Sequence, residues 1–308
     1  MSIKKYLLTG ANGFIGTRLL VALNKNEYDI RVLSRKSLPK YESVCCDFLR
    51  DQIPSSALTS IDTVFHLAGF AHDFRNTEKV DAIYQAINVD ATVKLAELAI
   101  KNKVKTFIFV SSVKAGGKSY DNKCMSESDQ GEPEGVYGKT KREAEIKLLE
   151  MSLNSDMDIV IIRPSLVYGK GMKGNLHLMF SGIKKGWFPP LPKIKNRRSM
   201  IHVDDLVQAL IMVSKEERAR NEIFIVTDGH PYSSREIYET MCNILNKSIP
   251  LWSVPSWLLN FMSKFNKTLQ YKIDKLIGDE WYSSEKIESI GFEAKISINK
   301  LDENEAFF

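Results

Sequence analysis

Three glycines spaced three residues apart near the start of the chain constrain its fold more than any other feature. Gly10, Gly13 and Gly16 stand in YLLTGANGFIG, directly after a short apolar run and directly before a helical pattern. Glycine at the first two positions lets the turn bend and lets its backbone approach a pyrophosphate, and glycine at the third lets helix and strand pack closely. The helix N-terminus offers unpaired N–H groups to an anion. The motif predicts a dinucleotide-binding turn, with a tight turn that binds nothing as the alternative.

Apolar runs alternate with helical periodicity through the first half of the chain. The runs that indicate buried strands are Tyr6–Thr9, Ile30–Leu33, Val44–Cys46, Thr63–Leu67, Phe107–Val110 and Ile159–Ile162. The helical segments are Phe14–Leu23, Val80–Lys101 and Tyr137–Leu153. Strand and helix in alternation indicate right-handed βαβ units. We therefore expect an α/β fold: a Rossmann-like, doubly wound parallel sheet with a smaller, mostly helical C-terminal substrate lobe.

The pattern changes after Tyr168. Stretches rich in Gly and Lys (GKGMKGN) and in Pro (WFPPLPK) interrupt regular structure, and Ile223–Thr227 is a later strand signal. We expect a dinucleotide-binding domain over residues 1–168, rejoined by about 199–228, and a nucleotide-sugar-binding lobe formed by 169–198 and 229–308. The apolar segment Leu251–Ile273, with its scattered lysines, indicates an amphipathic core helix, with a helix lying on a membrane surface as the alternative.

Composition narrows the classes of function. The net charge of +5 suits an anionic substrate, and no basic stripe interleaved with aromatic residues suggests nucleic acid binding. The four cysteines form no C-x-x-C pair and the histidines no H-E-x-x-H motif, so we expect no metal site. The N-terminal residues show no signal peptide, and no apolar run approaches the length of a membrane span. We expect a cytoplasmic protein.

A second pattern carries acid–base chemistry. Tyr137 and Lys141 are four residues apart on a predicted helix and share one face, and Ser111 and Ser112 end a predicted strand. A free tyrosine titrates near pH 10, which is too high for proton transfer at neutral pH. A neighbouring ammonium lowers that pKa because it stabilises the phenolate. The pattern therefore indicates a catalytic Tyr–Lys pair.

Together these motifs resemble the extended short-chain dehydrogenase/reductase family. The resemblance implies that Ser112 holds the substrate oxygen, that Tyr137 exchanges the proton and that Lys141 binds the nicotinamide ribose. It also implies a homodimer formed through the Tyr137 helix and the long helix before it, although we predict this only from the family. The positions that it assigns to the coenzyme are Gly10, Asn12, Gly13, Phe14, Ile15, Gly16, Ser34, Arg35, Asp47, Phe48, Leu67, Ala68, Asn88, Tyr137, Lys141 and Pro164.

Further stretches resemble the members of the family that act on nucleotide sugars. Asn175 in GNL and Arg198 in RRSMIHVDDL match residues that contact the substrate diphosphate. With Ser112, which the resemblance assigns to the sugar, they are the predicted substrate contacts. Arginine suits such bidentate phosphate contacts. The resemblance thus implies a nucleotide-sugar substrate.

The end of the second predicted strand distinguishes between the two coenzymes. Enzymes that use NAD place a carboxylate there for the ribose 2′-hydroxyl, whereas those that use NADP supply a cation. This chain has Ser34 followed by Arg35 and Lys36. The pattern favours NADP(H), with NAD(H) as the alternative.

The residues after Ser112 bear on the reaction. Sugar-nucleotide 4,6-dehydratases of the family place an Asp–Glu pair there, whereas this chain has Val113 and Lys114, so dehydration is disfavoured. The run SSVKAGGKSY resembles the branch of UDP-4-keto-6-deoxy-N-acetylhexosamine reductases of bacterial polysaccharide synthesis. We favour such an NADP(H)-dependent 4-ketoreductase, followed by a UDP-sugar 4-epimerase with tightly bound NAD and then by a catalytically silent dinucleotide sensor.

Overall fold

The computed structural model describes residues 4–26, 28–71, 78–119, 123–265 and 267–301. Seven strands form one parallel sheet: β1 (Lys5–Thr9), β2 (Asp29–Ser34), β3 (Glu42–Cys45), β4 (Thr63–His66), β5 (Thr106–Val110), β6 (Asp158–Pro164) and, near the end, β9 (Ile223–Val226). Their order is β3-β2-β1-β4-β5-β6-β9, with every neighbouring pair parallel. The order reverses between β1 and β4, which makes this the switch point where ligands bind in such sheets. The predicted Rossmann-like sheet is confirmed.

Both faces of the sheet are covered by helices, which explains why its central strands are mostly apolar and buried. The first part of the chain supplies α1 (Phe14–Lys25), α2 (Glu78–Gln85), α3 (Ala91–Lys101), the short α4 (Val113–Gly116) and α5 (Gly135–Ser152). Leu8 and its neighbours on one face pack against α1 and α7 (Val203–Val213), whereas Leu7 and its neighbours on the other face pack against α3 and α5. Alternate residues of β1 thus belong to two separate cores.

One predicted helix differs from the structure. The segment expected as a single helix over 80–101 consists of α2 and α3, joined by a π-helical turn, Ala86–Asp90. A π turn accommodates an extra residue within a helix, and such turns are frequent at functional sites. Because apolar spacing is regular on each side of the turn, the sequence pattern does not reveal it.

The second, smaller layer is built from strands β7 (Leu166–Tyr168), β8 (Arg198–His202) and β10 (Pro231–Tyr232), together with helices α6 (Asn175–Lys185) and α8 (Ser234–Ile244). In the small sheet β8 lies between β7 and β10. Phe180, Tyr238 and Met241 are in the apolar cluster that joins these helices to the small sheet, and Phe14 from the glycine turn packs against it. The C-terminal part continues as α9 (Ser256–Ser263), α10 (Lys267–Ile277) and α11 (Glu285–Ser289).

The segment Leu251–Ile273 is not the single core helix that we predicted. It is divided between α9 and α10, and Trp252, Trp257, Phe261 and Phe265 are exposed. On α9, Leu258 and Leu259 are half-buried, so the rest of the protein covers only part of the apolar surface of this helix. Within the described residues, no helix combines the length and the apolarity needed to cross a membrane.

Candidate active site

The glycine turn joins β1 to α1 at the carboxyl edge of the sheet. Gly10 has φ +72°, and a Cβ there would lie 2.7 Å from the amide nitrogen of Ala68. A Cβ at Gly16 would collide with the carbonyl oxygen of Gly10, so both positions require glycine. The N-cap of α1 is Gly13, and the first turn of the helix carries no acidic residue. The N–H groups at this end of α1 can therefore receive a pyrophosphate.

A neutral hydrogen-bond network holds the switch point beside this turn. The hydroxyl of Thr9 lies 2.7 Å from His66 Nδ1 and accepts the amide of Ala68 at 3.1 Å, and His66 Nε2 lies 2.8 Å from the hydroxyl of Thr92. Full burial lowers the pKa of His66 to about 3, and Lys141 adds to the effect, so the imidazole is uncharged at neutral pH. His66 and Thr92 were missed by the sequence analysis, although the position of this histidine at a strand end was visible.

Residues predicted to contact the adenosine half of the coenzyme end β2 and β3. The amide of Cys46 donates to the carbonyl of Ser34 at 3.0 Å, which brings Asp47 beside the end of β2. Ser34 itself donates to the carbonyl of Lys36 at 2.6 Å, and Arg35 and Lys36 are exposed. Both cations are thus accessible to a phosphate or to solvent.

The predicted catalytic residues lie on β5 and α5. Ser112 is the N-cap of α4, just past β5, and its hydroxyl accepts the amide of Lys114 at 3.3 Å. Lys141 is buried, and its ammonium donates to the carbonyl of Val110 at 2.9 Å and lies 4.4 Å from the centre of the Phe109 ring. The Tyr137 ring is half-buried, with its centre 6.3 Å from that of Tyr84.

The pKa values of Tyr137 and Lys141 indicate which charge a ligand must bring to this site. Burial, with a smaller contribution from Tyr84, raises the pKa of Tyr137 to about 12. Burial lowers the pKa of Lys141 to about 8, against a smaller opposing effect of Glu145. Without further positive charge, the phenol remains protonated at neutral pH. An oxidised nicotinamide is a cation, and at this position it would favour the phenolate.

Asn88 connects the π turn to the catalytic helix. Its side-chain oxygen accepts the amide of Phe70 at 2.7 Å, and its nitrogen donates to the carbonyl of Phe70 at 3.1 Å and to the hydroxyl of Thr140 at 3.2 Å. A Cβ at Gly69 would lie 3.3 Å from the ammonium of Lys141. Asn88 therefore fixes the loop after β4 against the helix that carries Tyr137 and Lys141.

A buried ion pair fixes α5 against the sheet. Arg163 on β6 donates to both carboxylate oxygens of Glu145, at 2.9 and 2.6 Å, and both side chains are almost completely buried. Two parallel bonds of this kind fix orientation as well as distance. The pair holds α5 against β6, whose last residue is Pro164, a predicted coenzyme contact. The sequence analysis missed the pair because the two residues are on different elements.

A cluster of charges surrounds Arg198, which we predicted to contact the substrate diphosphate. Arg198 on β8 is buried and donates to Glu280 at 2.7 Å and to the carbonyl of Lys275. Lys275 on α10 donates at 2.5 Å both to Glu280 and to Glu134, which precedes α5. Although burial opposes ionisation, Arg198 and Lys275 hold the pKa of Glu280 at about 2. Lys114 lies beside this cluster, and burial and Lys275 lower its pKa.

The predicted site residues are thus brought to one edge of the sheet to different degrees. The glycine turn and Ser112 directly follow strands β1 and β5. Asn88, in the π turn, and Tyr137 and Lys141, on α5, lie in helical segments that pack on the sheet. Arg198 is linked to the catalytic helix through Glu280, Lys275 and Glu134. Asn175, exposed at the start of α6, follows a loop in which a Cβ at Gly171 would lie 3.7 Å from the Phe14 ring. Within the described residues, no group of acidic, His or Cys side chains could hold a metal ion.

Comparison with known proteins identifies the family. The profile of the NAD dependent epimerase/dehydratase family matches residues 6–226. A UDP-glucose 4-epimerase of Vibrio cholerae is 34% identical over 288 residues, which cover 89% of this chain and 86% of the relative. The N-acetyl-alpha-D-glucosaminyl-diphospho-ditrans,octacis-undecaprenol 4-epimerase of Escherichia coli O157:H7 is 26% identical over 309 residues, or 96% of this chain and 92% of the relative.

Solved structures show the same fold. MoeE5, solved in complex with UDP-glucose and NAD, superposes with a TM-score of 0.77 at 22% identity, over 96% of this chain and 95% of its own. UDP-glucose 4-epimerase of Thermotoga maritima, solved with UDP-glucose, gives a TM-score of 0.77 at 20% identity and the same coverage. The glycine turn, the Tyr–Lys pair and the family match over most of the sheet lead to one conclusion: the chain belongs to the NAD-dependent epimerase/dehydratase family and is an enzyme of the extended short-chain dehydrogenase/reductase type.

Proposed function

We propose that this enzyme is a 4-epimerase of a hexose or N-acetylhexosamine carried on a diphosphate, with NAD as its resident coenzyme. The observation that carries the proposal is the placement of acid–base groups among the described residues. Tyr137 and Lys141 lie about one turn apart on α5, whereas Val113 and Lys114 occupy the positions after Ser112, where dehydration would need a second acid and base. The two 4-epimerases among the relatives support the same reaction.

The chain's own residues account for the proton in this reaction. With the positive charge that a bound oxidised nicotinamide would add to that of Lys141, the Tyr137 phenolate would form and take the proton of the sugar 4-hydroxyl. A bound nicotinamide dinucleotide, for which Gly10, Gly13 and the start of α1 form the pyrophosphate site, supplies reversible hydride transfer. Ser112 holds the oxygen at C4 while the 4-keto sugar rotates, so that its opposite face is directed towards the coenzyme site. Tyr137 then returns the proton, and the net result is inversion at C4 with no net oxidation.

The diphosphate is the part of the substrate that the relatives have in common. Their names specify a UDP-sugar in one case and an undecaprenyl-diphosphate sugar in the other. Arg198, Lys275 and Lys114 face two carboxylates, Glu134 and Glu280, so this group of five charges is net positive. We therefore assign the diphosphate to the Arg198 end of the site and the sugar to the Tyr137 end.

The 4-ketoreductase is the second candidate. Its support is the end of β2, where Ser34 replaces the acid and Arg35 and Lys36 are exposed cations that suit a 2′-phosphate. A reductase must exchange its coenzyme at every turnover, whereas an epimerase returns the hydride and retains it. Coenzyme exchange therefore separates the two proposals.

The test combines two assays on the purified enzyme. UDP-glucose or UDP-N-acetylglucosamine is supplied without added coenzyme, and the C4 epimer is measured by chromatography. In parallel, a UDP-4-keto-6-deoxy-N-acetylhexosamine is supplied with NADPH or NADH, and loss of reduced-nicotinamide absorbance is followed. Formation of the epimer without added coenzyme supports the 4-epimerase, and NADPH consumption that depends on the keto sugar would replace it with the reductase. Coenzyme binding with turnover in neither assay would leave the sensor.

A further inference from the structure

We propose that the enzyme docks on anionic membrane surfaces through an exposed aromatic face formed by Trp257, Phe261 and Phe265, with Trp252 exposed in the segment just before it. The docking does not depend on the proposed reaction, and only its consequence for membrane-anchored substrates rests on that reaction. Trp252 is 62% exposed and Trp257 68%, and Phe261 and Phe265 are 54% and 72% exposed. Single exposed apolar residues are normal on a soluble protein, but a group of large aromatic residues marks an interaction site.

The arrangement of the aromatic face follows from helix geometry. Trp257 and Phe261 are four residues apart on α9 and share one side of the helix. Phe265 continues the spacing just past the helix end, and its ring meets that of Phe261 edge-on, with centres 5.0 Å apart. Leu258 and Leu259 face partly inward. The helix thus directs its largest apolar side chains away from the protein.

The positive charges near the aromatic face indicate which kind of partner binds there. Between Glu239 and Asp274 the sequence contains four lysines and no acidic residue. Between Pro164 and Arg197 it contains six lysines, all of them exposed, again without an acidic residue. The second stretch neighbours the first, because the amide of Val254 donates to the carbonyl of Pro190 at 3.0 Å. Lysines beside tryptophan and phenylalanine are typical of helices that lie in the headgroup region of an anionic bilayer.

A second copy of the chain fits this surface less well. A two-fold dimer would bring the same basic surface of both copies together, and like charges in one interface oppose association. An anionic lipid surface instead attracts the lysines and receives the aromatic rings. Tryptophan and tyrosine are enriched where membrane proteins cross this same interface. We therefore commit to the bilayer surface as the partner.

The docking surface is connected to the active site by α10. This helix follows the aromatic face in the chain, and its residue Lys275 bonds to Glu134 directly before the catalytic helix. The helix that contacts the bilayer is thus joined, through α10, to the charged cluster. The enzyme could then take diphosphate-linked sugars anchored in the membrane as well as those in solution.

The experiment uses flotation of the full-length enzyme with vesicles of phosphatidylcholine alone or mixed equally with phosphatidylglycerol. We expect binding to the mixed vesicles, weaker binding at high salt, and a blue shift of tryptophan emission, since three of the four tryptophans are exposed. The triple variant Trp257→Ser, Phe261→Ser, Phe265→Ser should lower the partition coefficient at least about tenfold. Lys185→Glu with Lys264→Glu should abolish the preference for the anionic lipid.

The matched control removes exposed apolar side chains elsewhere: Val21→Ser on α1 with Leu153→Ser at the end of α5. It should float like the wild type, and all variants should retain NAD binding and turnover of a soluble UDP-sugar, which establishes that they fold. Failure of the wild type to bind mixed vesicles would overturn the proposal. So would a wild-type dimer that the triple variant dissociates in sedimentation, because the aromatic face would then be a self-interface.

Discussion

The groups nearest the glycine turn and the groups around Arg198 satisfy their buried polar atoms in different ways. On the coenzyme side, Thr9, His66 and Thr92 form an uncharged chain, and Lys141 lies among apolar neighbours with a carbonyl as its hydrogen-bond partner. On the substrate side, Arg198, Lys275, Glu134 and Glu280 form a network of ion pairs.

This difference follows from what each side has to do. Lys141 has a carbonyl as its hydrogen-bond partner, and the effect of the Glu145 carboxylate on its pKa is smaller than the effect of burial, so most of its charge is left for a ligand or the Tyr137 phenolate. A network of paired charges can instead accept a diphosphate by rearranging its partners. The comparison therefore predicts that changes on the coenzyme side affect chemistry, whereas changes in the network affect substrate binding.

The largest effect is expected at Tyr137. Tyr137→Phe removes the proton donor and acceptor but keeps the ring that packs near Tyr84, so turnover should fall roughly 10³-fold while NAD binding changes less than about twofold. Steady-state kinetics and NAD fluorescence titration measure the two quantities. Retention of activity in this variant would show that the coenzyme side does not carry the chemistry.

Lys141→Met should separate stability from activity. The pKa of Lys141 is about 8 in the folded protein against an ordinary 10.5, so below pH 8 its charge opposes folding by up to roughly 3 kcal/mol. The penalty declines as pH rises from 8 to 10.5, because the folded state has lost the proton that the unfolded chain still binds. The coenzyme-free variant should therefore be more stable than the wild type at pH 7, with the difference vanishing near pH 10.5, while it loses turnover.

Urea unfolding at several pH values measures this difference in the free energy of unfolding. Lys139→Met is the matched control, because Lys139 is exposed on the same helix and should leave stability and activity unchanged. A Lys141→Met enzyme that is less stable than wild type at pH 7 would mean that the bond to Val110 outweighs the cost of burying the charge.

The smallest effect is expected at Arg198. Arg198→Met should raise KM for a UDP-sugar about tenfold, the value of one good phosphate contact, with kcat and NAD binding nearly unchanged. Arg197→Met is the control, because Arg197 is the neighbouring arginine and packs over the Trp281 ring at 4.1 Å. An unchanged KM would assign Arg198 to the structural network alone and would refute its predicted diphosphate contact.

The sequence indicates more of the geometry around the glycine turn and Tyr137 than around Arg198, because the first two motifs are local. Gly10, Gly13 and Gly16 are neighbours in the chain, and so are Tyr137 and Lys141, so their spacing carries the geometry. The Lys275–Glu134 bond joins residues 141 positions apart, and no periodic pattern indicates such a contact. Arg198 was identified by resemblance, but its partner Glu280, 82 positions away, was not.

The π-helical turn between α2 and α3 makes the catalytic side sensitive to chain length. Successive residues of a helix are rotated by about 100° about its axis. If Leu95 and Ala96 kept their places in the core, deleting one residue from Ala86–Asp90 would therefore rotate Tyr84 away from Tyr137. Such a deletion would produce a more regular helix that folds but positions its partners wrongly. Among relatives of this chain, length in this short segment should therefore be more restricted than side-chain identity.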